Sequence, residues 1–148
     1  MTPRIDAFIG LHHHLSNFSN APVAYAGLEF PNVECAFQAA KCANPADQPQ
    51  FRDLTAGQAK RLGRRVRMRD DWERVKLAVM LEMLRQKFTP DRVAGQALLA
   101  TGDADLVEGN DWGDQFWGCT RGPDGAWVGE NHLGKLLMRV RAELREKT

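Results

Sequence analysis

FPNVECAFQAAKC, residues 30–42, marks the point at which the sequence changes from strand-like to helical. The segments before it, "DAFIG", "PVAYAG" and "LEFP", are short, apolar and broken by Gly and Pro, which is typical of short strands and turns. Asn32 has the side chain of a helix N-cap, and the residues after it predict a helix through about Cys42. The chain is therefore expected to be a compact, helix-rich α+β protein with a small β-sheet near its N-terminus.

Further helices are predicted after residue 42. Thr55 and Gln58 have the spacing of a capping box before "AGQAKRL", a helix that Gly63 would end. Apolar residues cover most sides of the segment 72–88, so this segment is expected to be the central helix.

Two more helices are predicted near the C-terminus. "TPDRVAGQALLAT" offers Thr89 as a cap and Pro90 as the first helical residue. The last helix is expected to begin near Asn131, because its leucines follow the 3.6-residue period. The loop-rich stretch between these helices has one expected strand, Leu106 to Glu108, and such long loops are often functional.

Composition favours one ordinary intracellular domain. The chain has 148 residues, 43% of them hydrophobic and 26% charged, and no linker that would separate two domains, so one domain over residues 1–148 is predicted. Three cysteines without a CxxC pair argue against a disulfide framework and favour a reducing, cytoplasmic setting. No targeting signal and no apolar run of about 18 residues is present, so no membrane association is expected.

Glu34, Gln38 and Lys41 are spaced by four and three residues, which places their side chains on one face of the predicted helix. Two interpretations follow from this pattern. The three residues could form a solvated stripe with an acid–base pair, or they could form one wall of an active site.

The loop at 108–117 combines carboxylates with aromatic rings. Asp114 lies between Trp112 and Trp117, and acids beside aromatic faces suit a sugar and a base. The alternative is that both tryptophans are core residues. Calcium is rejected, because Leu106 and Val107 stand where an EF-hand loop needs a ligand and a glycine.

The basic segment KRLGRRVRMR, residues 60–69, is either a solvated face or a phosphate clamp, since guanidinium groups match phosphate oxygens bidentately. The histidines at 12–14 do not form a metal site, because adjacent residues point to different sides and no third ligand follows with suitable spacing. No metal and no cofactor is predicted.

Four ordered segments resemble the NADAR family, also called YbiA-like: residues 15–42, 59–88, 98–118 and 129–144. The resemblance covers nearly the whole chain. It implies a compact YbiA-like domain that hydrolyses N-glycosidic bonds at the anomeric carbon of phosphorylated ribose. Two activities of the family are implied: removal of ADP-ribose from guanine bases of nucleic acid, and cleavage of phosphoribosyl-pyrimidine intermediates of riboflavin biosynthesis.

The resemblance also assigns residues. It implies Glu34, Lys41 and Asp114 as catalytic, with Lys41 either assisting the leaving base or forming a Schiff base with opened ribose. Residues expected to bind substrate come from the matched motifs and from the stacking and phosphate candidates: Asn17, Phe18, Gln38, Arg64, Arg65, Trp72, Trp112, Trp117, Gly118 and Asn131. For Trp72, the alternative is that it begins the buried helix.

Two departures from the family pattern bear on the substrate. Riboflavin-type members read YWGDG and have His after the glutamate, whereas this chain reads FWGCT at 116–120 and has Cys35. We therefore expect an ADP-ribosyl hydrolase acting on modified guanine, with the riboflavin-type N-glycosidase second and a non-catalytic module that binds ADP-ribose or NAD third. Expected partners are an ADP-ribosylated or phosphoribosylated nucleotide, including ADP-ribosylated DNA, and an ADP-ribosylating toxin; a monomer or weak dimer is expected.

Overall fold

The computed structural model describes residues 3–148 of the chain. Within that range it contains five α-helices and six short strands, so the predicted α+β class is confirmed. The helices are α1 (Val33–Lys41), α2 (Ala56–Leu62), α3 (Trp72–Lys87), α4 (Val93–Ala100) and α5 (His132–Lys147). The strands are β1 (Arg4–Ile5), β2 (Val23–Tyr25), β3 (Leu28–Phe30), β4 (Asp105–Leu106), β5 (Thr120–Arg121) and β6 (Trp127–Val128).

Contacts along the chain define two compact units. One is Asn17–Lys87, and the other combines residues 3–16 with Phe88–Thr148. Each unit has helices and strands of its own. The expected single domain over residues 1–148 stays a prediction.

A β-hairpin precedes the first helix in the unit Asn17–Lys87. β2 and β3 pair in antiparallel register, with Val23 opposite Phe30, and the turn between them places Ala26 and Gly27 at positive φ. Two consecutive positive φ values are typical of a type I′ turn, whose twist matches that of paired strands. This hairpin is the small sheet expected near the N-terminus.

α1 is the enclosed helix of this unit. Eight of its nine residues are buried, and it packs against α2, α3, both hairpin strands and a 3₁₀ helix at Pro49–Asp53. Its alanines at 36, 39 and 40 let these neighbours approach closely. The expectation that residues 72–88 form the central helix was wrong, because after Trp72 the first half of α3 is largely accessible and its other buried residues lie between 80 and 87.

Hydrogen bonds at two helix starts confirm the predicted caps. The Asn32 side-chain oxygen accepts from the Cys35 backbone N–H at 2.9 Å. Thr55 and Gln58 form the reciprocal capping box, and α2 ends before Gly63. Both caps join residues three apart, which is why they can be recognised from sequence.

Replacing Asn32 by Ala should lower the free energy of unfolding by about 1 kcal/mol, the usual effect of losing an N-cap. The first turn of α1 would then have a buried N–H without its acceptor. Urea unfolding followed by circular dichroism measures the change. Asn32→Ser is the control, because its hydroxyl oxygen can also accept at an N-cap without burying a charge, and it should lose less stability than Asn32→Ala. Equal stability of the Ala variant and the wild type would contradict the assigned cap.

The second unit contains two short sheets and two helices. β1 pairs in parallel with β4, and β5 pairs in antiparallel with β6. α5 packs against α4 and β4. Its buried leucines and valine follow the predicted period: Leu133, Leu137, Val140 and Leu144.

The predicted start of α4 was wrong. The helix begins at Val93, not at Pro90. The Arg92 N–H donates to the Thr89 carbonyl and closes a turn, while the Thr89 hydroxyl bonds to Asp91 rather than to a helical N–H. β4 likewise begins one residue earlier and ends two residues earlier than the strand predicted at 106–108. None of the helices in the described part of the chain, residues 3–148, has the length and apolarity needed to cross a bilayer.

Candidate active site

Glu34, Gln38 and Lys41 lie on one face of α1, as their spacing predicts. Only 8% of Glu34 and 9% of Gln38 is exposed, and Lys41 is half-buried. A solvated stripe would leave these groups in water, so this burial excludes that interpretation. Burying a carboxylate and an amine on one helix face is costly, and such groups are typical of functional sites.

The Glu34 carboxylate is held by the residue one turn later in α1. Gln38 Nε2 donates to Glu34 Oε1 at 2.9 Å. The Glu34 backbone N–H donates to the Asn17 carbonyl at 3.2 Å, which ties the segment Asn17–Phe18 to the first turn of the helix. These two hydrogen bonds fix both the backbone and the side chain of Glu34.

Two side-chain acceptors of this region are buried and unpaired. Among residues 3–148, Gln38 Oε1 and Asn17 Oδ1 are the buried side-chain atoms recorded without a hydrogen-bond partner. Asn17 Nδ2 does have one, a 3.7 Å contact with the sulfur of Met80. Since buried polar atoms are nearly always paired in native proteins, such exceptions point to strain or to a functional role.

Burial lowers the pKa of the Lys41 amine below its ordinary value of 10.5. The negative charge of Glu34 opposes this lowering, and the positive charge of Arg64 adds to it. Desolvation is the largest influence, so the net direction is downward. A lowered pKa increases the fraction of neutral amine, which is the form that can act as a nucleophile.

The basic residues after α2 differ in their surroundings. Arg64 and Arg65 are exposed, and Arg64 is close enough to Lys41 to influence its pKa. Arg69 instead donates to both carboxylate oxygens of Asp71, at 2.6 and 2.9 Å. Arg64 and Arg65 are thus accessible to phosphate oxygens, whereas Arg69 belongs to the scaffold.

Two aromatic candidates of this unit are placed differently. The ring of Phe18 is 41% exposed, with Lys60 Nζ at 5.9 Å from its centroid. Trp72 is only 4% exposed and packs on Phe37 with ring centroids 4.8 Å apart. Phe18 can therefore present a face to a ligand, and the burial of Trp72 matches the alternative that it begins the buried helix.

In the unit that contains Phe88–Thr148, Asp114 shapes the loop at 108–117, which is called the aromatic loop below. Its Oδ1 accepts from the backbone N–H groups of Phe116 and Trp117, at 3.1 and 2.9 Å. This local pattern is an Asx-type turn, and it fixes the direction of the FWG segment. Trp112 is 59% exposed, while Trp117 is half-buried and meets Phe116 edge to face.

Gly118 and Asn131, both expected to bind substrate, have structural contacts. Asn131 accepts from the Glu108 N–H at 3.0 Å and donates to the Leu106 carbonyl at 2.9 Å. A Cβ added at Gly118 would lie 2.1 Å from the backbone oxygen of Glu108 and 1.8 Å from its Oε2, so only glycine fits there. Asn131 thus anchors the start of α5 to β4, and Gly118 makes room for the backbone and the carboxylate of Glu108.

Asn110 was missed by sequence reasoning although it holds the aromatic loop together. Its Nδ2 donates to the carbonyls of Asp114 and Cys119, at 2.9 and 3.2 Å, and its Oδ1 accepts from the Asp114 N–H at 3.0 Å. The available signal was the turn-rich sequence GNDWG at 109–113, in which an asparagine often bonds to nearby backbone.

The cysteines at the two departures from the family pattern are buried. Cys35 has no exposed surface, and its Sγ donates to the Leu54 carbonyl at 3.4 Å. Cys119 is buried as well, and its N–H donates to the Glu108 carbonyl at 2.9 Å. Burial raises the pKa of the Cys35 thiol to about 11. Within residues 3–148 no group of three or more His, Cys, Asp and Glu side chains is arranged to hold a metal ion.

The structure thus brings Glu34, Gln38 and Lys41 together on α1, with Arg64 nearby. The remaining candidates between residues 112 and 131 lie in the other unit. The shared catalytic role that the resemblance implies for Glu34, Lys41 and Asp114 stays a prediction.

Comparisons with known proteins give a consistent result. The model of the NADAR domain family matches residues 8–145. N-glycosidase Npun_R5314 of Nostoc punctiforme is 38% identical over 136 residues, which cover 88% of this chain and 84% of that protein. N-glycosidase YbiA of Escherichia coli is 36% identical over 132 residues, covering 87% of this chain and 79% of that protein.

A longer relative matches equally well. The riboflavin biosynthesis protein VVA0006 of Vibrio vulnificus is 38% identical over 91% of this chain, and the chain spans only 36% of its length. The NMR structure of the Escherichia coli protein YbiA superposes with a TM-score of 0.79 at 34% identity, covering 99% of this chain and 88% of that one. The resemblance inferred from the four sequence segments is therefore confirmed, and the chain belongs to the NADAR domain family, in which these relatives carry the name N-glycosidase.

Proposed function

We propose that this protein is a hydrolase that cleaves the N-glycosidic bond at the anomeric carbon of a phosphorylated ribosyl group. The main supporting observation is the face of α1, where a buried carboxylate, Glu34, accompanies an amine of lowered pKa, Lys41. The family relatives named N-glycosidases support the same reaction class.

Glu34 supplies the negative charge that this reaction needs. Cleavage of the C–N bond leaves positive charge on the anomeric carbon, and a fixed carboxylate stabilises it. The same carboxylate can take a proton from the attacking water, whose oxygen forms the new bond to the anomeric carbon, while the base departs with a proton. The hydrogen bond from Gln38 holds Glu34 in one orientation for both roles.

Lys41 and the arginines provide the positive groups. A neutral Lys41 amine can attack C1 of the ring-opened sugar, so that the base leaves as its free amine while an imine forms on Lys41, and water then hydrolyses that imine to release the sugar. A protonated Lys41 can instead donate its proton to the leaving base. Arg64, which is close enough to Lys41 to influence its pKa, and its neighbour Arg65 are both exposed and suit the phosphate oxygens of the substrate. These assignments are proposals for the catalytic and phosphate-binding roles.

Two substrate classes fit this chemistry, each favoured by its own observation. The riboflavin biosynthesis relative favours a phosphoribosyl-pyrimidine, which we place first. The two adjacent exposed arginines favour a diphosphate, as in ADP-ribose attached to guanine in nucleic acid. The departures at Cys35 and Cys119 favoured the guanine substrate on sequence grounds. Because both side chains are buried, they do not help to distinguish the two substrates.

The test is a side-by-side hydrolysis assay of the purified protein. Ribosylamino-pyrimidine 5′-phosphate and an oligonucleotide with ADP-ribosylated guanine are incubated separately, and the released base and sugar are identified by mass spectrometry. We expect base release from at least one substrate, with the pyrimidine faster. No hydrolysis of either substrate would contradict the proposed function and leave only a binding module. Activity on guanine alone would restore the first expectation, an ADP-ribosyl hydrolase acting on modified guanine.

A further inference from the structure

Gly63, the residue that follows α2, is not explained by its backbone. Its φ of −60° and ψ of −20° lie in the right-handed helical region, which every L-residue adopts without strain. Replacing such a glycine by alanine usually stabilises a protein, because the unfolded chain loses freedom. The absence of a side chain at this position therefore has another cause.

That cause is the amide of Gln38. A Cβ built on Gly63 would lie 1.9 Å from Gln38 Oε1 and 2.6 Å from Gln38 Cδ. Both distances are far inside van der Waals contact, so a side chain at 63 and the present position of the amide exclude each other. The Gln38 side chain is nine-tenths buried and lies within the enclosed helix α1, which leaves it little room to move aside.

The displaced amide is the one that holds Glu34. Gln38 Nε2 donates to Glu34 Oε1, while Gln38 Oε1, on the other side of the amide, has no hydrogen-bond partner and faces Gly63. The orientation of this amide is thus set by one hydrogen bond on its nitrogen and by close packing on its oxygen. Any shift forced at the oxygen also moves the nitrogen relative to the carboxylate.

We propose that Gly63 is a positioning residue for the reaction and that it acts through Gln38 on the Glu34 carboxylate. This inference rests on the proposed function insofar as Glu34 is catalytic. It adds a residue that touches neither the substrate nor Glu34, and it gives a reason for the buried, unpaired oxygen of Gln38. The contact itself is independent of which substrate the enzyme uses.

The experiment compares Gly63→Ala with a matched control on α2. Gly57→Ala is that control, because its Cβ would meet only an Arg61 nitrogen at 3.8 Å, an ordinary contact. We expect Gly63→Ala to lower kcat by about 10²-fold, the effect of a misplacement of roughly 1 Å, with KM changing much less. Gly57→Ala should keep the wild-type kcat.

A double-mutant cycle isolates the route through Gln38. Once Gln38→Ala has removed the amide, the nearest remaining neighbour of a methyl group at 63 is the Ala59 carbonyl oxygen at 3.2 Å, so Gly63→Ala/Gln38→Ala should match Gln38→Ala in kcat within about twofold. The double variant also keeps the test valid if Gly63→Ala folds poorly, because the clash is absent there. An undiminished loss in the Gln38→Ala background, or a wild-type kcat for Gly63→Ala, would overturn the proposal.

A second measurement separates this proposal from the proposed function. In ¹⁵N-labelled protein, the side-chain NH₂ resonances of Gln38, assigned through Gln38→Ala, should exchange slowly with water in the wild type and in Gly57→Ala. They should shift and exchange faster in Gly63→Ala, whether or not a substrate is known. Unchanged Gln38 resonances in Gly63→Ala would refute the contact. If the resonances change but the wild-type protein hydrolyses neither substrate, the contact stands and only the proposed function is refuted.

Discussion

Glu34→Gln should lower kcat by about 10²–10⁴-fold, the range expected when a positioned general acid or base is lost. The substitution preserves the shape of the side chain and removes the negative charge that would stabilise the anomeric centre. Because Glu34 is buried and hydrogen-bonded by Gln38, no other group can readily take over its place. Steady-state kinetics on the substrate that the wild type cleaves best measures the effect.

Glu29→Gln is the matched control for Glu34→Gln. Glu29 is an exposed residue of β3, so its replacement removes the same charge without touching the face of α1. We expect its kcat to stay within about twofold of the wild type, as for an ordinary surface substitution. A Glu34→Gln enzyme as active as Glu29→Gln would show that the carboxylate on α1 has no catalytic role.

Lys41→Arg should abolish most turnover, because a guanidinium keeps the positive charge but cannot form an imine. Burial lowers the pKa of Lys41 below its ordinary value of 10.5, so the neutral amine is already present at a lower pH than for a lysine in water. Turnover that needs this amine should therefore rise with pH through the lowered pKa and level off above it. Borohydride added during turnover should leave a sugar phosphate adduct on Lys41, detectable by mass spectrometry of the peptides.

The control for Lys41→Arg is Lys135→Arg, an exposed lysine of α5 that should show neither a loss of turnover nor a trapped adduct. If Lys41→Arg keeps most of its activity and no adduct forms on Lys41, the amine acts only through its charge. In that case Lys41 forms no imine with the sugar, and its positive charge is what the reaction uses, as in proton donation to the leaving base.

The sequence was sufficient where the deciding contacts are local. Asn32 and Thr55 were recognised as caps because each bonds to a backbone N–H three residues away. The face of Glu34, Gln38 and Lys41 followed from helical spacing alone. Pro90 was wrongly predicted to be the first residue of α4. Proline is common at that position, but here the Arg92 N–H donates to the Thr89 carbonyl and closes a turn before the helix begins.

Contacts between distant residues explain what the sequence did not indicate. Gly63 looked like a helix stop, and only folding brings it against Gln38, which lies 25 positions earlier in the chain. Asn131 bonds to Leu106 over the same separation and so has a role in the fold, while the substrate binding that its motif implies stays a prediction. The many apolar residues in 72–88 predicted that this helix would be the central one. Which helix is enclosed depends on the packing of distant segments, and that helix is α1.

The enclosure of α1 determines how this protein should lose activity on heating. In many enzymes the catalytic groups lie on mobile loops that open before the rest of the molecule unfolds. Here Glu34 and Lys41 belong to a helix covered by two other helices, a hairpin and a 3₁₀ segment, so local fraying cannot release them separately. Thermal inactivation should therefore follow the cooperative melting of the unit Asn17–Lys87, and amide protons of α1 should be among the slowest to exchange.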